Sequence, residues 1–279
     1  MTHTNPYMKT RYVFFISDST GQTAESLGKA LLTQFEDIQV VPVYMPYINT
    51  EQKARQALLR IRSSVQLSDE RPLIFSSIIS LTIRNIISQA DGLVIDIFGR
   101  FLPILESELG QPPIARVGGS HANPSEEKAM LRIDAVNYAL DNDDGIRVNR
   151  YDQADIILVG VSRSAKTPTC LYMGMQFGIF AANYPLTEED LEAGKIPIAL
   201  QDQREKLFAL TITPDRLSAI RNERRANSRY ASLRQCEWEI KEASILYRKM
   251  GLKSVDTTHL SVEEIGAHIL VETQLPRRL

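Results

Sequence analysis

Residues Gly160–Thr167 read Gly-Val-Ser-Arg-Ser-Ala-Lys-Thr and follow the apolar run "IILV". The spacing is that of a phosphate-binding loop, G-x-x-x-x-G-K-[ST], with Ala165 standing where the second glycine belongs. In such a loop consecutive backbone N–H groups at a helix N-terminus close on phosphate oxygens. The lysine brings a mobile positive charge over the terminal phosphates, and the hydroxyl after it can ligate Mg²⁺. Gly160, Lys166 and Thr167 fill those places, and Pro168 falls in the first helical turn, where its missing N–H costs little. Alanine at position 165 suits the loop if its φ stays negative. The alternative is an ordinary strand-to-helix connection with a solvated lysine.

Three further groups could serve the same chemistry. Arg221, Arg225 and Arg229 recur every four residues, which puts them on one face of a helix. Converging guanidiniums there could neutralise a transferring phosphoryl group, or they could form a solvated face salt-bridged to Glu223. Asp141, Asp143 and Asp144 in "DNDDG" could hold Mg²⁺ or take a proton from a hydroxyl nucleophile. The local sequence also describes a helix-ending turn with Gly145 in the left-handed conformation. Ser17–Thr23, "SDSTGQT", resembles the loop with which flavodoxins hold a flavin phosphate, with hydroxyls at Ser19, Thr20 and Thr23 and a tight turn at Gly21. The same residue types cap helices, and no aromatic pair offers itself to a flavin ring. His121 sits in an irregular glycine-containing loop, and His3, His259 and His268 show no metal spacing. The H-R-D and D-F-G motifs of ordinary protein kinases are absent.

The elements that must position these residues alternate. "RYVFFIS", "IQVVPVYM", "RPLIFSS" and "GLVIDIF" read as strands, with helical patterns in "TAESLGKALLTQF", "EQKARQALLRIRSSV" and "SLTIRNIISQA" between them. In the first of these helices Leu27, Ala30, Leu31 and Phe35 share a face. A helix through "SEEKAMLRIDAVNYAL" ends at "DNDDGI". Beyond the polar connector "RVNRYDQAD" come a strand, the loop at Gly160, its helix, the strand "LFALTIT" and the helices "RLSAIRNERRANSRYASLRQ" and "CEWEIKEASILYRKM". "KSVDTT" and "VEEIGAHILVE" supply a last strand and helix. Strand–helix alternation of this kind predicts α/β architecture with parallel sheets covered on both faces. The expected organisation is an amino-terminal parallel α/β domain over 1–150 followed by a phosphate-loop α/β domain over 151–279.

Composition narrows the function classes. The 279 residues carry a net charge of −2, with 43% hydrophobic and 24% charged residues. No basic excess argues for nucleic acid or an anionic membrane, and the polar start "MTHTNPYMKT" is not a signal peptide. The two cysteines, Cys170 and Cys236, make neither a disulfide framework nor a zinc cluster, which points to a reducing cytoplasm and to small buried hydrophobes.

Taken together, "GVSRSAKTPTCLYMGMQFGIFAANYP", "LFALTITPDRLSAIRNERRANSRYASLRQC", "FFISDSTGQTAESLG" and "DDG" resemble the phosphoenolpyruvate synthase regulatory proteins, sisters of the pyruvate, phosphate dikinase regulatory proteins. The resemblance runs from about Tyr12 to the terminal helix. It implies a bifunctional enzyme whose protein partner is phosphoenolpyruvate synthase, and it leaves a homodimer as one possible assembly. One activity uses ADP to phosphorylate a threonine of the synthase and inactivates it. The other uses inorganic phosphate to remove that phosphoryl group and releases pyrophosphate. The family's ADP-binding segment maps onto Gly160, Val161, Ser162, Arg163, Ser164, Ala165, Lys166 and Thr167. The roles that follow are Lys166 and Arg163 over the transferring phosphoryl, Thr167 on Mg²⁺, and Asp144 or Asp143 orienting the acceptor hydroxyl. The chain departs from the family pattern at Ala165, where many members have glycine, and at Asn142, where the common H-D-D-G has histidine. A small-metabolite kinase and a non-catalytic nucleotide-sensing module are the alternatives that the residues themselves leave open.

Overall fold

The structure, a computed structural model, describes residues 9–65, 70–117 and 126–279. It divides into two compact units, Met1–Ala122 and Asn123–Leu279.

In the first unit the order is β1 (Lys9–Ser17), α1 (Gln22–Leu32), β2 (Ile38–Met45), α2 (Glu51–Val65), β3 (Leu73–Ser77), α3 (Leu81–Ile87), β4 (Leu93–Asp96) and α4 (Ile97–Leu109). All strand pairings are parallel and the sheet order is β2-β1-β3-β4. The unbroken apolar run in β1 is explained by burial on both faces. Phe14 and Ile16 pack with Ala54, Ala57 and Ile61 of α2 and Ile83, Ile86 and Ile87 of α3. Val13 and Phe15 point the other way, to Ala24 of α1 and Ile97 of α4. The face expected for α1 is corrected: the helix ends at Leu32, Phe35 is 63% exposed, and Ala24, Leu27, Gly28 and Leu32 pack inward. The helix stops three residues short of Phe35, so that side chain never joins the stripe.

The second unit repeats this strand order. It holds α5 (Glu126–Asp141), short 3-10 turns at Asp143–Gly145 and Val148–Gln153, β5 (Ile156–Gly160), α6 (Lys166–Phe177), β6 (Ala181–Pro185) and α7 (Glu188–Ala193). A 3-10 stretch (Ile198–Lys206), β7 (Leu207–Thr211), α8 (Pro214–Arg224), a 3-10 turn (Arg229–Ala231), α9 (Leu233–Met250), β8 (Ser254–Asp256) and α10 (Val262–Thr273) complete it. The sheet is parallel, β6-β5-β7-β8. β5 is buried along its length, with Ile157 and Val159 facing Ala243 and Leu246 of α9, and Ile156 and Leu158 facing Met173 of α6 and Ile265 of α10.

The division between units falls at 122/123, not at 150. α5 belongs to the second unit because it lies against α6: the backbone of Ala135 comes so close to Gly174 that a Cβ there would sit 3.0 Å from its carbonyl oxygen. Tyr138 of the same helix stacks on Phe180, with ring centroids 5.1 Å apart. The single helix expected over "RLSAIRNERRANSRYASLRQ" is two. α8 ends at Arg224, Arg225 leaves the helical region at φ −142° and ψ 77°, and Asn227 takes a left-handed φ of 57°. Ser232 then caps α9 by accepting from the Gln235 N–H.

Candidate active site

Parallel sheets place their functional loops at the carboxyl ends of the strands, and the loop Val161–Ala165 leaves β5 there, between β6 and β7. Gly160 is fixed by packing. A Cβ at that position would lie 2.8 Å from the Leu210 carbonyl oxygen of β7 and 2.6 Å from Ser164 Oγ. Arg163 (φ 75°) and Ala165 (φ 65°) both adopt the left-handed conformation on either side of Ser164. This alternation turns successive N–H groups into one concavity, a nest for an anion. The amides of Arg163, Ala165, Lys166 and Thr167 donate to no described residue.

The condition under which alanine suits position 165, a negative φ, is not met. The residue is left-handed because α6 must begin immediately after a reversed peptide, and a Cβ there costs about 1–2 kcal/mol. Ala165→Gly should relieve that strain. Glycine's greater freedom in the unfolded chain offsets part of the gain, leaving a net stabilisation of ~1 kcal/mol and a rise in melting temperature of about 2–4 °C. A melting temperature that stays put or falls would contradict a strained Ala165.

Lys166 is buried, and its ammonium donates to the Val161 carbonyl across the loop at 2.8 Å. Burial lowers its pKa from 10.5 to about 8, and the carboxylates of Asp144 and Asp143 hold it from falling further. The ammonium touches a carbonyl and makes no direct ion pair with a described residue, which places its charge to meet an anionic ligand in the loop.

The acidic turn after α5 comes to the same place. Thr167 Oγ1 donates to Asp143 Oδ1 at 2.7 Å, and Asn183 Nδ2 of β6 donates to the same oxygen at 2.5 Å. The Asp144 N–H donates to Asn183 Oδ1 at 3.1 Å, holding Asp144 in a left-handed turn (φ 50°) with its carboxylate free at the mouth of the cleft. The left-handed conformation thus appears at Asp144 as well as Gly145, and the turn serves the loop rather than merely ending a helix. Asn142 is fully buried, with its amide donating to the Tyr138 carbonyl, so it supports the turn from behind and does not face the cleft. A hydroxyl beside a carboxylate is a hard-oxygen pair that suits Mg²⁺, so the residues fit the ion at Thr167 and Asp143. Among the described residues no three of His, Cys, Asp and Glu gather into a metal set, and Asp141 turns instead to Arg147 and Arg150.

The arginine face is displaced by one residue from the expected one. Arg221 is fully buried and does not face the loop opening. It pairs with Glu239 through two hydrogen bonds of 3.0 and 2.6 Å, stacks on Tyr230 at 4.1 Å, and donates to the Ser162 carbonyl at 3.1 Å. It braces the back of the loop, aided by a 2.9 Å hydrogen bond between Ser162 Oγ and Tyr230 OH. Arg225 lies past the helix end, and Arg229 reaches Glu188 on the surface. The residues of α8 that do line the site are Ile220 and Arg224. With Asp144, Ser162, Arg163, Lys166 and Thr167 they enclose a cleft of about 360 Å³. Arg163 and Arg224 form no ion pair with any described residue, so two guanidiniums and one ammonium converge here.

In the first unit, Ser17–Thr23 borders a separate cavity of about 430 Å³ at the end of β1, together with Arg84 and Arg116. Ser17 Oγ accepts from the Ser19 N–H, Asp18 accepts from the Ile79 N–H, and Gly21 turns at φ 87°. No side chain caps α1, so the hydroxyls of this loop are not there for capping. Both cysteines are buried, and burial raises their thiol pKa values. His3 and His121 lie outside the described residues. No helix among the described residues is long and apolar enough to cross a membrane.

Comparison with known proteins gives one consistent result. The family described as kinase/pyrophosphorylase matches residues 13–270. A protein of Pseudomonas aeruginosa described as a phosphoenolpyruvate synthase regulatory protein is 54% identical over 268 residues, 96% of this chain and 98% of that one. Proteins of the same description from Stutzerimonas stutzeri (53% identical, 96% and 99% covered) and Marinobacter nauticus (54%, 96% and 98%) are similar over the same span.

Proposed function

The chain belongs to the kinase/pyrophosphorylase family, and on that premise we propose that it regulates phosphoenolpyruvate synthase by moving one phosphoryl group on and off a threonine. In the inactivating direction the threonine hydroxyl attacks the β-phosphorus of ADP, the bond to the bridging oxygen breaks, and AMP leaves. In the reactivating direction an oxygen of inorganic phosphate attacks the phosphothreonine phosphorus, the bond from phosphorus to the threonine oxygen breaks, that oxygen takes up a proton, and pyrophosphate is released. Both are in-line displacements at one phosphorus between oxygen nucleophiles, so one centre can perform both.

The observation that carries this reading is the meeting of three groups from two parts of the chain: the Lys166 ammonium, the Thr167 hydroxyl, and the Asp143–Asp144 turn. The free amides of the nest hold the non-bridging oxygens. Lys166 and Arg163 neutralise the charge that spreads over the transferring group, and Asp144 exchanges a proton with the threonine oxygen. Mg²⁺ at Thr167 and Asp143, when bound, supplies further charge neutralisation. Arg221 acts only through the loop it braces.

The test is to incubate the protein with ADP and purified synthase and measure intact masses. A synthase one phosphoryl group heavier, returned to its original mass by inorganic phosphate, is the expected result. An unchanged mass with ADP bound describes a sensing module. Turnover of ATP on a free metabolite without the synthase describes a small-molecule kinase. Either removes the proposal.

The lowered pKa of Lys166 gives a pH dependence of definite sign. In the free protein the ammonium deprotonates as pH rises through about 8. A bound diphosphate favours the charged form and moves the pKa back up. ADP binding should therefore take up close to one proton between about pH 8.5 and 9.5, and its affinity should fall as pH rises through that window. Calorimetry in two buffers of different ionisation enthalpy reads the proton directly. Proton release, or none, would show that Lys166 does not meet the phosphates.

A further inference from the structure

We propose that the cleft between the β7–α8 and β8–α10 connections holds the nucleoside of the donor and is where the protein tells ADP from bare pyrophosphate. The inference rests on reading Gly160–Thr167 as a diphosphate loop and adds to it the place of the remainder of the nucleotide.

The argument begins with direction. An in-line displacement keeps the attacking and leaving oxygens on opposite sides of phosphorus. The acceptor side is marked by the Asp143–Asp144 turn, which is hydrogen-bonded to Asn183 on β6. β6 and β7 flank β5 on opposite sides. The leaving group, and the nucleoside attached to it, must then depart toward β7 and β8.

A cavity of about 550 Å³ lies there. It adjoins the phosphate cleft, since Arg163, Ala165 and Ile220 border both. Its volume is in the range of small-molecule sites, and its walls suit a flat heteroaromatic ring with polar edges. Ile212, Ile220 and Leu260 supply apolar surface. Arg216, one turn before Ile220 on α8, is exposed and pairs with no described residue, so its guanidinium plane is free to stack on a base. His259 and Leu260 form no hydrogen bond to a described residue, which leaves their main-chain groups free to read a base edge. The neighbouring hydroxyls are already engaged: Thr257 Oγ1 donates to the Thr211 carbonyl, and Thr258 Oγ1 accepts from the Thr213 N–H. They lock the two connections together and hold the cavity open.

Calorimetry with ADP and with pyrophosphate, each with Mg²⁺, tests this on the unaltered protein and on Arg216→Ala and Leu260→Trp. The unaltered protein is expected to bind ADP at least ten-fold more tightly than pyrophosphate. Leu260→Trp fills the cavity and should weaken ADP about ten-fold or more while leaving pyrophosphate within two-fold. Arg216→Ala should weaken ADP about five-fold with the same selectivity. Leu260 also packs against the core beneath α10, so if that variant does not fold, the exposed Arg216 decides alone. Unchanged ADP affinity in both variants, or equal losses for ADP and pyrophosphate, overturns the inference. So does an unaltered protein that binds the two ligands equally, although the diphosphate loop then stands. Binding of neither ligand removes the loop and the inference together.

Discussion

Replacing Lys166 with methionine should lower both the ADP-dependent and the phosphate-dependent transfer by about 10²–10³-fold, equivalent to ~3–4 kcal/mol of transition-state stabilisation. The paired loss is the informative part. One ammonium inside one loop serves whichever phosphate occupies the terminal position, so the two activities cannot be separated at this residue. The same substitution should make the free protein more stable. The ammonium is held at a pKa of about 8 against 10.5, which sets an upper bound of about 3 kcal/mol on the cost of keeping it charged and buried at neutral pH. The lost hydrogen bond to Val161 returns part of that. Activity assays in both directions, alongside a thermal melt, check the pair of effects. A variant that keeps phosphate-dependent release while losing the ADP-dependent reaction would place the two transfers at different centres.

The opposed effects on stability and activity bear on what a sequence can disclose. The strand, loop and helix around Gly160 were legible because their pattern is local. A buried strand, Gly160, Lys166 and Thr167 must lie at fixed spacing if main-chain amides are to meet a phosphate, and the structure keeps them so. The alternation of strands and helices was legible for the same reason, since burial on both sheet faces forces continuous apolar runs such as Val13–Ile16. What escaped depends on distant packing. The helix face expected for Arg221, Arg225 and Arg229 does not form: α8 stops at Arg224, so Arg221 alone of the three lies on it, and it turns inward. Leu217, one turn before Arg221, faces the core, and that apolar neighbour marks the 217–221 face as the buried one and 216–220–224 as the open one. Nothing near Arg221 announces Glu239, eighteen residues on, as its partner. The turn at Asp143 likewise reads locally as a helix end, and only the hydrogen bonds from Thr167 and Asn183 tie it to the loop. The left-handed φ at Ala165 runs against the residue's own preference, and such conflicts are retained where a site needs them.

Asp144→Asn is expected to slow both transfers by about 10²–10⁴-fold while leaving ADP affinity within a few-fold. The contrast with its neighbour gives this its force. Asp143 is committed to Thr167 and Asn183, so its replacement by alanine disturbs the hydroxyl proposed to hold Mg²⁺ and should show first as weakened Mg²⁺-dependent nucleotide binding. The Asp144 side chain accepts no hydrogen bond from a described residue and borders the cleft beside Lys166. In the forward direction it takes the proton that the threonine hydroxyl loses as the new P–O bond forms. In the reverse direction an ionised phosphate oxygen attacks without a base, the bond from phosphorus to the threonine oxygen breaks, and the Asp144 carboxyl, protonated from solvent before that turnover, gives its proton to the departing oxygen. A group that only bound Mg²⁺ or ADP would change affinity in proportion to rate. A proton carrier changes the rate of the chemical step and leaves binding alone. Single-turnover rates in both directions, set beside calorimetric affinities for Asp143→Ala and Asp144→Asn, separate the two roles. Full single-turnover rates in Asp144→Asn would exclude it as the proton carrier, whatever became of nucleotide affinity.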